Sequence, residues 1–238
     1  MSDGIAKFDY SKVAGIPEVK LRVGLLEERL KISGSKTRAL EIGIGAGDIT
    51  LLLARYFDEL VCVDIDEDNC RFVSKQIKEY GLPMPHFICS PIEDVAHDLG
   101  CFDHIILLGV LEHLQSPVEV LSMLRGNIQK GGSCHICVNL ANSIHRWLGV
   151  DMGYISHTEQ LSEQDYALGH KRVYTRSVLH QHIRQSGWGI SFEMPFYLKP
   201  LPTSMLNSLP MEIHKGFFKL GQRFPEFASY IYIEAKPN

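Results

Sequence analysis

The most informative segment of the sequence reads Ala39-Leu40-Glu41-Ile42-Gly43-Ile44-Gly45-Ala46-Gly47-Asp48-Ile49-Thr50. It is a short apolar run with one carboxylate, followed by three alternating glycines and then by the start of an apolar helix pattern. Glycine is favoured where the backbone turns left-handed or where a ligand must approach the main chain closely. The N–H groups at the start of the following helix offer hydrogen-bond donors above such a turn. The pattern predicts a strand, a turn and a helix, with a nucleotide-like ligand bound above the turn.

The acidic residue before the turn separates two groups of cofactors. A dinucleotide places its pyrophosphate over a G-x-G-x-x-G turn, and a carboxylate beside that turn would repel the phosphates. Here the spacing is G-x-G-x-G, and Glu41 precedes Gly43 by two residues. A carboxylate in that position suits a ligand with ammonium and sulfonium groups, as in S-adenosylmethionine. A second apolar run ends at Asp64, 17 residues beyond Gly47, where a second parallel strand should present an acceptor to a ribose diol.

Several motifs, in order along the chain, resemble those of the class I S-adenosylmethionine-dependent methyltransferases. Besides residues 41–47 and 63–65, they comprise the apolar run 102–108 with residues 110–114, and the Gly131-Gly132 pair that leads into a strand. The resemblance covers most of the chain. It implies an α/β fold, namely a doubly wound, mostly parallel seven-stranded sheet whose last strand is antiparallel, with helical insertions near the C-terminal half. It also implies S-adenosylmethionine as cofactor and S-adenosylhomocysteine as product.

The expected cofactor site gathers the glycine turn and the ends of the neighbouring strands. Its residues are Glu41, Gly43, Gly45, Gly47, Asp64, Ile65, Ile92, Glu93 and Leu108. Members of the resembled family usually carry an acidic residue near position 91 for the adenine amino group, whereas this chain has Pro91. Proline offers neither a side-chain acceptor nor an N–H. The backbone N–H of Ile92 and the carboxylate of Glu93 or Asp94 would take over that role.

His113 is the first candidate for a general base. It follows the apolar run 102–108, the fourth predicted strand, by about one helical turn, at the edge where open α/β sheets bind ligands. Imidazole also titrates in the range that proton transfer at neutral pH requires. The competing interpretation is a histidine that packs at the start of a helix. His145 and His170 are second candidates.

The segment 141–174 is too long for a simple connection between a strand and a helix, and it is rich in hydrogen-bonding side chains. Family members carry specificity in insertions at this point, so the segment is expected to face the substrate. The alternative is a plain surface elaboration. The residues expected to bind substrate are Asn142, His145, His170 and Tyr174.

Composition limits the partners. The 238 residues are 45% hydrophobic and 22% charged, with a formal net charge of −4, which gives no basic surface for nucleic acid. No apolar run approaches the roughly 20 residues that span a bilayer, and the N-terminus lacks the pattern of a signal peptide. We therefore expect a cytoplasmic protein with a small-molecule substrate, no membrane association and no metal. Cys134 and Cys137 form a C-x-x-C, but odd spacing on a strand sends the two thiols to opposite faces.

The predicted organisation is one methyltransferase domain over residues 1–238. Residues 1–15 form an N-terminal arm, in which Tyr10 is a candidate lid contact over the cofactor. Residues 141–174 are the substrate-facing insertion. Residues 200–226 are a second insertion, whose Met and Phe residues belong either to the core or to a homodimer surface. Three other functions stay open at this stage. They are methylation of RNA or protein, a nicotinamide oxidoreductase, and a catalytically silent domain that binds the adenosyl cofactor.

Overall fold

The computed structural model describes residues 15–238. The predicted arm, except Gly15, and the candidate lid contact of Tyr10 lie outside these residues. The strands are β1 (Arg38–Ile42), β2 (Glu59–Asp64), β3 (His86–Cys89), β4 (Phe102–Leu108), β5 (Ile128–Asn139), β6 (Trp188–Phe196) and β7 (Tyr230–Pro237). The helices are α1 (Pro17–Ser33), α2 (Asp48–Tyr56), α3 (Glu67–Glu79), α4 (Ile92–Val95), α5 (Pro117–Leu124), α6 (Ile144–Asp151), α7 (Glu163–Ala167), α8 (Arg176–Gln185), α9 (Thr203–Leu206) and α10 (Met211–Arg223).

The strands form one seven-stranded sheet in the order β3-β2-β1-β4-β5-β7-β6. Strands β1 to β5 pair in parallel, whereas β7 lies between β5 and β6 and is antiparallel to both. The predicted doubly wound sheet with an antiparallel last strand is therefore confirmed. Because the order reverses between β1 and β4, the carboxyl ends of these two strands open a crevice in which open α/β sheets bind ligands.

Two hydrophobic clusters cover the two faces of the sheet. Alternate residues of each buried strand belong to different clusters, as the period of a strand requires. Cys134 packs in one cluster and Cys137 in the other, as their spacing predicted. In α1 the buried apolar side chains are Leu25, Leu26 and Leu30. Val19 and Val23 of the same helix are only partly buried.

Helices occupy both predicted insertions. The segment 141–174 contains α6 and α7, and 200–226 contains α9 and α10. Helix α10 packs so closely on the end of β6 that a Cβ at Gly221 would lie 2.2 Å from the backbone nitrogen of Tyr197. Phe217 and Phe218 join the core, while Met205 is exposed. Over residues 15–238, none of the helices has both the length and the apolar character that crossing a membrane requires.

Candidate active site

The glycine turn lies between β1 and α2, and its backbone has the geometry that only glycine adopts easily. Gly43, Gly45 and Gly47 have φ angles of +74°, +49° and +87°. A Cβ at Gly43 would lie 2.7 Å from a methyl group of Val110, so the turn is also closely packed against the segment that follows β4. A side chain at either end of the turn would therefore strain the backbone and displace its neighbours.

A cavity of about 550 Å³ opens over this turn. Its volume is in the usual range for small-molecule sites, about 300 to 1,000 Å³. The predicted cofactor residues that line it are Gly43, Gly45, Gly47, Asp64, Ile65, Ile92, Glu93 and Leu108. Pro91 lines it too, whereas Asp94 is exposed and does not. The contacts of these residues with a cofactor stay predictions.

Asp64 joins the end of β2 to the glycine turn. Its Oδ2 accepts the backbone N–H of Ile44 at 2.8 Å and that of Gly45 at 3.4 Å. Its Oδ1 accepts the N–H of Asp66 at 2.8 Å and the amide of Asn69 at 3.4 Å. Burial raises the pKa of this carboxyl, and the hydrogen bonds oppose that shift. The side chain thus supports the turn as well as lining the cavity.

Glu41 does not line the cavity, although the sequence argument assigned the preference for a cationic ligand to it. Its side chain is buried inside the sheet layer, 1% exposed, with the thiol of Cys62 at 3.5 Å. Burial raises the pKa of Glu41 to about 8, against smaller opposing effects of Thr50 and Cys62. The side chain therefore holds a proton at neutral pH, and any effect on a bound ligand must be indirect.

The acidic character of the cavity comes from other residues. Four carboxylates line it, from Asp48, Asp64, Asp66 and Glu93, against the two cationic side chains of Arg22 and Lys171. Such a wall disfavours pyrophosphate and favours a ligand with positive charge. The electrostatic preference inferred from the sequence is kept, but its source moves from Glu41 to the cavity wall.

His113 lies in the turn between β4 and α5 and lines the cavity. Burial lowers its pKa to about 4, helped by the charge of His170 and opposed by a hydrogen bond to the backbone of Gly169. The imidazole is therefore neutral at physiological pH and able to accept a proton. A general base must be unprotonated and must reach the bound substrate. His113 is neutral and lines the cavity, and its catalytic role stays a prediction.

The four residues expected to bind substrate lie off the cavity wall. Tyr174 is 1% exposed, sits in the core and contacts His182 through its hydroxyl at 3.2 Å, so its side chain is unavailable to a substrate. Asn142 is exposed away from the cavity, and His145 is partly buried. His170 is buried against His113. The cavity instead meets the insertion at Ala167, Leu168 and Lys171.

Sequence reasoning also missed Arg22. It projects from α1 to the cavity, where a Cβ at Gly109 would lie 3.3 Å from its guanidinium. The apolar spacing of α1 gave no signal for a cation on this face. Among the residues described, no group of three or more His, Cys, Asp or Glu side chains is arranged to hold a metal ion.

Comparison with known proteins matches this architecture to one family. The sequence model of the family described as "Methyltransferase domain" matches residues 40–136, which include the glycine turn, Asp64 and His113. Over residues 40–136 the resemblance to the class I S-adenosylmethionine-dependent methyltransferases is therefore confirmed. The matched segment ends within β5, so the insertions lie beyond it.

The chain is similar to the ubiquinone biosynthesis O-methyltransferase of Chromobacterium violaceum, at 25% identity over 113 residues, which are 47% of each chain. It thus spans about half the length of the curated relatives that it matches. A solved methyltransferase of Clostridium acetobutylicum is similar at TM-score 0.61 and 11% identity, covering 91% of this chain and 90% of that one. The N-methyltransferase NodS of Bradyrhizobium japonicum, solved with S-adenosylhomocysteine, gives 0.60 and 13%, covering 98% and 94%. These structures establish the fold.

Proposed function

We propose that this protein transfers a methyl group from S-adenosylmethionine to a hydroxyl oxygen of a small molecule. The observation that carries the proposal is a neutral histidine, His113, on the wall of the same cavity as the glycine turn and Asp64. We take the chain as one methyltransferase domain in which the insertion 141–174 covers the acceptor side.

The chain's residues fit the cofactor. The left-handed turn at Gly43, Gly45 and Gly47 keeps Cβ atoms away from the cavity floor. Asp64 would accept the ribose hydroxyls in place of its two longer contacts, those at 3.4 Å with the N–H of Gly45 and the amide of Asn69. Ile65 is 79% exposed at the same rim and offers an apolar surface to the adenine. When bound, the sulfonium supplies an already electrophilic methyl group.

The protein's own contribution is positioning and proton acceptance. Holding two reacting groups in a productive orientation can supply roughly 7 to 11 kcal/mol, whereas a general base adds about 10² to 10⁴ in rate. A base helps only if the acceptor still carries its proton at neutral pH, as a hydroxyl does. The neutral state of His113 therefore favours oxygen over an amine nitrogen, which needs no base once it is unprotonated.

The names of the relatives and the net charge of this chain support the same acceptor. Curated relatives named O-methyltransferases match this chain, and the net charge of −4 disfavours a polyanionic RNA. The test is transfer of label from S-[methyl-¹⁴C]adenosylmethionine to catechol, benzylamine, bulk tRNA or a protein extract. We expect label on catechol alone. Label on benzylamine, tRNA or protein would contradict the proposal, and binding of S-adenosylhomocysteine without any transfer would favour the silent domain.

Asp64→Asn should weaken binding of S-adenosylhomocysteine by about 1.5 to 3 kcal/mol, the contribution of a hydrogen bond to a charged group. Calorimetric titration measures it. Because Asp64 also accepts the N–H groups of Ile44 and Gly45, thermal unfolding without ligand must be measured in parallel to separate a disordered turn from a lost ribose contact.

Asp94→Asn is the matched control, since Asp94 is exposed and does not line the cavity. It should leave the affinity unchanged. An Asp64→Asn protein that binds as tightly as the unmodified chain would remove the ribose assignment. Tight binding of NAD by the unmodified chain would revive the oxidoreductase alternative.

A further inference from the structure

The insertion holds the turn that carries His113. The backbone N–H of Lys171 donates to the carbonyl of Glu112 at 2.8 Å. The guanidinium of Arg172 donates to three further carbonyls of the turn 111–115, at 3.2, 2.7 and 3.1 Å. These contacts join segments about 60 residues apart in sequence, so the position of His113 depends on the insertion and not on its own turn alone.

The ring of His113 has two neighbours in the same insertion. The ring of His170 meets it edge-on, with centroids 4.7 Å apart and planes at 78°. Gly169 has a φ of +78°, and a Cβ there would lie 3.9 Å from Nδ1 of His113. Nδ1 is therefore the ring nitrogen of His113 that faces Gly169, whose backbone raises the pKa of His113. If Nδ1 carries the proton, Nε2 is left as the acceptor in the neutral ring.

Asp165 anchors His170. Its Oδ1 accepts from Nδ1 of His170 at 3.0 Å, and its Oδ2 accepts from Arg146 at 3.1 Å and from the backbone of Ser162 at 2.8 Å. The side chains of Asp165, His170 and Arg146 are all nearly inaccessible to solvent. Burial alone would raise the pKa of Asp165, but the hydrogen bonds from His170, Ser162 and Arg146 outweigh it and keep the carboxylate ionised.

We propose that Asp165 and His170 are positioning residues that fix the ring orientation and the tautomer of His113. The inference rests on the proposed function, in which Nε2 of His113 receives the acceptor's proton. It also changes the role of His170 from a substrate contact to a support of the base. The titratable groups that surround His113 are then His170 and Lys171, with Glu112 and Asp165 behind them.

His170→Gln is the primary test, because it leaves the hydrogen bonds of Asp165 to Arg146 and Ser162 in place. The tautomer is read from ¹⁵N spectra of histidine-labelled protein at about pH 8, where the imidazole is neutral, with the His113 signal assigned by its loss in His113→Gln. We expect one Nδ1–H tautomer in the unmodified chain and a mixture in His170→Gln. The kcat for catechol methylation should fall roughly tenfold or more, within the range of a base that is no longer oriented, with unchanged affinity for S-adenosylhomocysteine.

His157→Gln is the matched control, an exposed histidine of the same insertion, and should alter neither spectrum nor kcat. Asp165→Asn is the second variant and should reproduce the tautomer mixture if the segment stays folded. A single Nδ1–H tautomer that persists in both variants overturns the proposal. The spectrum needs no acceptor, so failure of the positioning role is distinct from failure of the proposed function, which would show as absent binding of S-adenosylhomocysteine or absent transfer.

Discussion

Replacing His113 by glutamine should lower kcat for the hydroxyl acceptor by about 10² to 10⁴, the usual contribution of a general base. Glutamine can still donate to the carbonyl of Gly169, but it cannot accept a proton at any accessible pH. His113 is not among the residues proposed to contact the cofactor. The affinity for S-adenosylhomocysteine should therefore stay within about twofold, a change in binding free energy well under 1 kcal/mol. A large fall in kcat with constant cofactor affinity is what separates a base from a residue that only shapes the cavity.

The pH dependence gives a second measurement of the same role. The base must be neutral, and the pKa of His113 is lowered to about 4. Activity should therefore rise with pH through about 4 and be flat from pH 6 to 8, wherever the fold is intact. A base with the ordinary pKa of histidine would instead make the activity rise with pH near 6.5. Unchanged turnover of His113→Gln at saturating acceptor would remove the residue from catalysis, and His157→Gln again serves as control.

The fold was predictable from sequence because its signals are local. Each buried strand is an apolar run, and glycines at 43, 45 and 47 adopt the left-handed angles that their spacing implies. The face of the sheet on which the Glu41 side chain lies, and what covers that face, was not predictable in the same way. Alternation places Glu41 on the same face of β1 as Ala39, but only the packing of the folded chain shows that this face meets α2 and not the cavity.

The insertion was the hardest part to interpret. A dense set of polar residues does not reveal which side chains face a substrate and which form a buried network, since both need hydrogen-bonding groups. Tyr174 is buried because Leu140 and Tyr174 form a parallel bridge at the end of β5. One local signal was available: Ser162 and Asp165 have capping-box spacing, and the structure shows both of its hydrogen bonds at α7.

A second large effect concerns acid stability and arises outside the cavity. His104 and His135 face each other in the sheet, with Nδ1 of His104 2.8 Å from Nε2 of His135. Nε2 of His104 contacts the hydroxyl of Ser33 at 3.0 Å, and Nδ1 of His135 contacts that of Tyr232 at 2.5 Å. Burial lowers the pKa of both histidines, most strongly for the fully enclosed His135. Two protonated rings would point N–H at N–H, so the pair is stable only when at least one ring is neutral.

The direction of the effect follows from these lowered values. A histidine whose folded pKa lies below the unfolded value of about 6.5 contributes stability that is complete above that pH and is lost as the pH falls below it. At pH 5 the loss is about 2 kcal/mol for each ring that stays neutral in the folded state. The buried carboxyls of Glu41, Glu112 and Asp64 have raised pKa values and act in the opposite direction. The effect must therefore be measured as a difference between variants.

We expect the variant with both His104→Gln and His135→Gln to lose less unfolding free energy than the unmodified chain between pH 7.5 and pH 5, by about 2 kcal/mol for one ring that stays neutral. Glutamine keeps neutral hydrogen-bonding groups in the chain and has no proton to gain. Urea unfolding at each pH measures the difference, and His97→Gln, at an exposed position, should follow the unmodified curve. Should the double variant be too unstable at pH 7.5, His135→Gln alone should change the pH dependence in the same direction, because His135 has the more strongly lowered pKa. Parallel curves for all the variants would show that the two rings do not resist protonation, because a buried neutral pair must make stability depend on pH in this window.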